Sequence, residues 1–185
     1  ALFEDVPSTY WARDFIERLY NAGITSGCST SPLMYCPDST VTRAQMAIFI
    51  LRGIHGSTYV PPTASGTVFG DVPVGSFAAD WIEQLAAEGV TAGCGGGNYC
   101  PDATITRAQM AIFLLRGEHG SVYTPPAATG TVFGDVPLGS FADAWIEQLA
   151  LEGVTSGCGS GNYCPDNSVT RAEMAVFLVR AFSLP

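Results

Sequence analysis

Apolar and polar residues follow two recurring patterns along this chain. In the first, Phe77, Trp81, Ile82 and Leu85 fall on one stripe while Glu83 and Gln84 face away, which predicts a one-sided helix over about 77–88. Ser76 stands in the N-cap position before it, and Gly89 stands where a left-handed C-terminal cap belongs. In the second, Thr106 and Gln109 form a capping box ahead of Met110-Ala111-Ile112-Phe113-Leu114-Leu115, a run apolar nearly all round. A helix of that kind must be covered on more than one side. One helix pair cannot do this alone, so several pairs must pack together, or the chain must pack against other chains.

Both patterns repeat. Phe69-Gly70-Asp71-Val72-Pro73 returns as Phe133-Gly134-Asp135-Val136-Pro137, and in altered form as Phe3-Glu4-Asp5-Val6-Pro7. Thr106-Arg107-Ala108-Gln109-Met110 has counterparts beginning at Thr42 and Thr170. Gly66 to Arg116 matches Gly130 to Arg180 at 39 of 51 positions, a period of 64 residues. Copy 1 carries two extra residues in one loop. The predicted organisation is copy 1 over 1–52, a linker over 53–65, copy 2 over 66–116, a linker over 117–129, and copy 3 over 130–185. Each linker is rich in Gly, Pro and Thr and contains a Pro-Pro pair, which reads as a surface connector with some stiffness. The expected fold class is mainly α: three helix-loop-helix repeats packed as one pseudo-threefold body, with short extended segments and pinned loops.

Charge narrows the partners. The formal net charge is −9, and all eight basic residues are arginine. Without a basic cluster the chain lacks the footprint that holds a phosphate backbone or an anionic lipid surface, so nucleic acid is excluded as a partner. No apolar window is long enough for a membrane-spanning helix, so no membrane insertion is expected. An alanine start fits a mature end left by signal-peptide cleavage, and equally a trimmed chain.

Each copy has two cysteines, Cys28 and Cys36, Cys94 and Cys100, Cys158 and Cys164, bracketing a short loop. Local pairing within each copy is the simplest of the fifteen connectivities that six cysteines allow. The alternative, metal ligation, would need converging pairs or histidine partners, and the close C-x-x-C spacing is missing. His55 and His119 fall in the linkers and have no counterpart in copy 3. Disulfides are therefore expected, and with them a location outside the cytoplasm. No metal or cofactor is expected.

A catalytic site is not expected either, because every candidate polar residue repeats as scaffold positions do. Asp143 and Glu147 sit one helical turn apart and read as a solvated helix face. Asp5, Asp71 and Asp135 read as turn-forming residues ahead of Val-Pro, or as residues lining a groove. Arg43, Arg107 and Arg171 each occupy the first turn of an apolar helix, where the macrodipole disfavours a cation. A fixed partner is therefore expected for each. It would be an internal carboxylate such as Asp102, or loop carbonyls, or an anionic or hydroxyl-rich ligand gripped in bidentate fashion.

The succession of Phe-x-Asp-Val-Pro, an aromatic-led helix ending in Glu-Gly-Val-Thr, and Tyr-x-Pro-Asp-x-x-(Val/Ile)-Thr-Arg-Ala-(Gln/Glu)-Met resembles the S-layer homology domain, over essentially the whole chain. The resemblance implies three tandem copies folded into one body. It also implies a secreted, cell-surface role in tethering to cell-wall or envelope polysaccharide, often pyruvylated, through grooves between copies. Carried across, the family's ligand-contacting arginine falls on Arg43, Arg107 and Arg171. The acidic member of that box survives only as Glu173, with Gln45 and Gln109 in its place elsewhere. The Asp-Val aspartates are Asp5, Asp71 and Asp135. The first-helix aromatics are Trp11 and Phe15, Phe77 and Trp81, and Phe141 and Trp145, of which Trp11, Trp81 and Trp145 are the expected ligand contacts. Two functions follow: a glycan-binding anchor, and a subunit that polymerises with copies of itself into an extracellular filament or layer. The second draws on the all-round apolar helix and the absence of cargo in this sequence.

Overall fold

The computed structural model describes residues 1–185. In copy 1 the helix α1 spans Arg13–Asn21, a two-stranded ribbon joins β1 (Ser29–Thr30) to β2 (Leu33–Met34), and α2 spans Arg43–His55. Copy 2 contributes α3 (Ala79–Ala87) and α4 (Arg107–His119), and copy 3 contributes α5 (Asp143–Leu151) and α6 (Arg171–Ala181). The fold is mainly helical, in three repeats with short extended pieces.

The second helices begin as their sequences dictate. Thr42, Thr106 and Thr170 each accept a hydrogen bond from the backbone N–H three residues on, and the side chains of Gln45, Gln109 and Glu173 answer each cap. The first helices begin differently. Ser76 is not the N-cap of α3: its hydroxyl donates to the Pro73 carbonyl at 2.8 Å, which closes a turn. The chain then passes through Ala78 in the left-handed region before α3 starts at Ala79, two residues later than the apolar stripe suggests. Gly89 does end that helix with φ +72°.

The helices α2, α4 and α6 meet at the centre, where Ile50, Leu51, Leu114, Leu115 and Leu178 are completely buried. The second helices thus cover one another, which answers the demand their sequences raise. The first helices form an outer ring, each packed on a second helix from a neighbouring copy: α3 on α2, α5 on α4, and α1 on α6. The last of these contacts closes the ring.

Closure is also written in the backbone. The N–H of Val41 donates to the Val169 carbonyl, that of Val169 to Ile105, and that of Ile105 to Val41, a triangle linking all three copies. Each second helix then has two of its unpaired N-terminal N–H groups satisfied by the next copy. Arg43 and Ala44 donate to the Ala103 and Pro101 carbonyls, Arg107 and Ala108 to Asn167 and Pro165, and Arg171 and Ala172 to Ser39 and Pro37.

The cysteines pair within each copy, as Cys28–Cys36, Cys94–Cys100 and Cys158–Cys164. Gly93 shows why the pinned loop needs glycine: at φ +92° a Cβ there would lie 2.3 Å from the Asn98 carbonyl oxygen. The stretches between copies are less linker-like than their composition implies. Gly53 and Gly117 lie inside α2 and α4, in the last helical turns, where the Phe182 ring packs against both. Pro61 and Pro125 are buried.

Candidate ligand grooves between the copies

Each repeated arginine makes one clasp with the following copy. The Arg43 Nε–H donates to the Tyr99 carbonyl at 2.7 Å, and the Tyr99 hydroxyl returns a bond to the Arg43 carbonyl at 2.8 Å. The guanidinium lies 4.7 Å from the Tyr99 ring centroid and 5.5 Å from that of Phe113. Arg107 does the same with Tyr163 and Phe177, and Arg171 with Tyr35 and Phe49. The internal partner is therefore a loop carbonyl and an aromatic face; Asp102 takes no part. Burial pushes the pKa of Arg43 and Arg171 down, opposed by the nearby Tyr99 and Asp71 or Tyr35 and Asp5. The ordinary value is so high that both stay charged.

The clasp leaves each guanidinium incomplete. Arg43, Arg107 and Arg171 are only 4%, 3% and 7% exposed, and in all three the buried Nη2 has no hydrogen-bond partner. Buried N–H groups without partners are uncommon and costly. Arg107 is relieved in part, because its Nη1 donates to Glu173 Oε1 at 2.8 Å. Gln109 and Gln45 occupy the equivalent positions for Arg43 and Arg171, and neither bonds its arginine.

Two of these arginines open into grooves walled by all three copies. One, of about 300 Å³, combines Arg43 of copy 1, residues 90–94 and Gln109, Phe113 and Arg116 of copy 2, and Phe141 of copy 3. The other, of about 480 Å³, combines Arg107 of copy 2, residues 154–158 with Glu173, Phe177 and Arg180 of copy 3, and Trp11 and Phe15 of copy 1. Each has a buried cation on its floor, a second arginine on its wall and an exposed aromatic at its rim. The Arg43 groove has no carboxylate in its lining, whereas Glu173 stands in the other.

The expected site residues divide between these walls and other tasks. The structural counterparts of Trp11 are Phe77 and Phe141, not Trp81 and Trp145; the three are 62%, 67% and 66% exposed. Trp81 and Trp145 line neither groove. They lie beneath Arg52 and Arg116, 5.3 Å from ring centroid to guanidinium in each case. Asp5, Asp71 and Asp135 neither cap their own turn nor reach a groove. Each carboxylate accepts the two N–H groups at the end of its disulfide loop: Tyr35 and Cys36, Tyr99 and Cys100, Tyr163 and Cys164. Asp143 and Glu147 are not a merely solvated pair. Asp143 accepts from Gly139 and Ala144, and Glu147 accepts from the backbone of Thr129 and Gly130. Burial raises the Glu147 pKa, but those N–H groups outweigh it and the net shift is downward.

The second arginines, Arg52, Arg116 and Arg180, were not anticipated. Their signal was available, since they recur with the same period of 64 near the end of each apolar helix. His55 and His119 are the last residues of α2 and α4 and not linker residues. Each stacks on a tyrosine and bonds the glutamate that ends the neighbouring first helix, His55 to Glu88 and His119 to Glu152.

Three stretches of the chain, residues 2–47, 69–111 and 133–175, match the S-layer homology domain. The chain is 30% identical over 131 residues to an S-layer protein of Bacillus licheniformis, covering 67% of this chain and 14% of that protein. It is 25% identical to an endoglucanase of Bacillus sp. (strain KSM-635), covering 94% of this chain and 18% of the enzyme. A cellulosome-anchoring protein of Acetivibrio thermocellus is 24% identical, over 80% of this chain and 33% of that protein. The chain thus spans a third or less of each of these relatives.

Proposed function

Because this chain belongs to the S-layer homology domain family, we propose that it is a non-catalytic anchor of the cell surface that holds envelope polysaccharide in the grooves between its copies. The observation that carries this reading is the pair of buried guanidinium groups, Arg43 and Arg107, each with an unpartnered Nη2 and each lining a groove with an exposed aromatic ring. A sugar polymer supplies both complements, a flat apolar face for the ring and hydroxyl or carboxylate oxygens for the cation. The three disulfides accord with a location outside the cytoplasm. The endoglucanase relative accords with an attached rather than catalytic role, because the match takes in 18% of that enzyme. No helix is long and apolar enough to cross a membrane.

The Arg43 groove is the principal holding site in this reading. No carboxylate lines this groove beside its two arginines, so the local potential favours an anionic substituent despite the net charge of −9. Polymerisation into a filament is the weaker reading, since the apolar helices that motivated it are covered by one another. The deciding experiment is co-sedimentation of the non-reduced protein with purified cell envelopes. F141A removes an exposed ring and should leave helical circular dichroism intact; R43A removes a groove cation and also the clasp to Tyr99, so its binding is compared per folded protein, and both are expected to reduce envelope-bound protein. Undiminished binding by the folded R43A/F141A double variant would refute the reading. Sedimentation without envelopes would favour the polymer.

A further inference from the structure

A second cluster lies outside both grooves. Glu118 and His119 end α4, and Glu152 is the C-cap residue of α5. The His119 Nε2 stands 2.9 and 3.0 Å from the two Glu152 oxygens and 4.0 Å from Glu118 Oε2. One donor atom from each of the three residues falls within a 4.8 Å group. Two carboxylates here meet the carbonyl ends of two helices, where the macrodipole already disfavours negative charge. The nearest helical arginine, Arg116, is committed to the Trp145 ring and the Val90 carbonyl. Nothing cationic in the protein, save a protonated His119, offsets the concentration of negative charge.

The geometry points to a site for a divalent transition metal, with zinc as the reference ion. Four-coordinate zinc with imidazole and carboxylate donors at about 2.0–2.1 Å places its ligand atoms about 3.3–3.4 Å apart, and the distances here straddle that value. Two carboxylates cancel the charge of a dication, neutral imidazole supplies the nitrogen that zinc prefers over calcium, and water completes the shell. Glu152 is already oriented from behind by Gln148, whose Nε2 donates to Oε1 at 2.7 Å, as outer partners orient metal ligands. The bound ion pins the end of α4 to the end of α5, and so fixes Phe113 and Arg116 relative to Phe141 across the Arg43 groove.

The protein contains its own control. In copy 1 the same arrangement recurs with His55, Glu88 and Gln84, but Ile54 replaces Glu118. Copy 3 has Phe182 and Ser183 at the corresponding places and no histidine. The copies therefore predict one ion per chain.

The test is calorimetric titration of the full chain, stripped with chelator, with zinc chloride at neutral pH. The wild type is expected to bind one equivalent, and E118I, which copies the copy 1 residue, to bind at least about tenfold more weakly with unchanged circular dichroism. I54E is expected to raise the stoichiometry to two. No saturable binding by the wild type at millimolar zinc, or a stoichiometry and affinity that neither substitution alters, would overturn the proposal. Envelope binding plays no part in this readout, so its failure and that of the anchoring reading are separable.

Discussion

Replacing Asp71 by asparagine separates a structural clamp from a ligand contact. The Asp71 carboxylate accepts the Tyr99 N–H at 2.8 Å and the Cys100 N–H at 2.7 Å. An asparagine keeps one acceptor and turns its NH2 group toward the other donor. A hydrogen bond to a charged group contributes about 1.5–3 kcal/mol, and Asp71 is only partly buried, so D71N is expected to cost about 2 kcal/mol at neutral pH. For a domain of this size that lowers Tm by about 4–8 °C. The pH dependence follows from the carboxyl pKa. Burial raises it, but the two loop N–H groups and Arg43 outweigh burial and hold it below the ordinary value. A depressed folded-state pKa means the contribution is complete above the unfolded value, about 3.9, and is lost as pH falls through the folded one. Calorimetric melts should therefore show a full gap between wild type and D71N at pH 7 that narrows progressively below about pH 4. A gap that is absent at pH 7, or that persists unchanged in acid, would refute the clamp. Envelope binding by the folded fraction of D71N should match the wild type; a loss there would return Asp71 to the ligand.

Other perturbations probe the remaining contacts. G53A should destabilise by about 1–3 kcal/mol in urea titrations although alanine is the better helix former, because its Cβ would stand 2.5 Å from the Phe182 ring; F182A should remove most of the difference. Reducing the three disulfides, which join cysteines six to eight residues apart, should lower the denaturation midpoint by an amount equivalent to about 2–3 kcal/mol per loop on the chain-entropy account. E173Q should release Arg107 and raise envelope binding, whereas Q109E should pair Arg43 and lower it, both read by co-sedimentation; unchanged binding in both would show that the glutamate does not govern access to the arginine.

Much of this architecture is legible in the sequence because it rests on local rules applied three times. The capping boxes at Thr42, Thr106 and Thr170 need only residues three apart, and the cysteine pairs close loops within one copy. The apolar run from Met110 to Leu115 states its need for cover without naming what supplies it. What covers it is a matter of topology: α5 packs on α4 from the next copy, which no local pattern encodes. The same limit explains the site. The Arg43 position shows that a partner is required, but Tyr99 lies 56 residues away and is reached only through the ring of copies. Ser76 looked like a cap because serine favours that position, yet the Pro73 carbonyl claimed its hydroxyl first. Trp81 and Trp145 stand out as tryptophans, while the exposed aromatic position is the one filled by Trp11, Phe77 and Phe141, two of which, Trp11 and Phe141, line the grooves.

The closed ring also has a mechanical consequence. Its last seam joins α1 to α6, and the Arg18 side chain donates to the Leu184 carbonyl across it. Tension that draws α1 away from α6 therefore loads that seam directly. The Arg107 groove straddles it, with Trp11 and Phe15 on one side and Phe177 and Arg180 on the other, so it is the first to be pulled open. The Arg43 groove is walled almost entirely by copy 2, with one residue each from copies 1 and 3, and takes no residue from α1 or α6. A pull that opens this seam would therefore distort the Arg107 groove before the Arg43 groove.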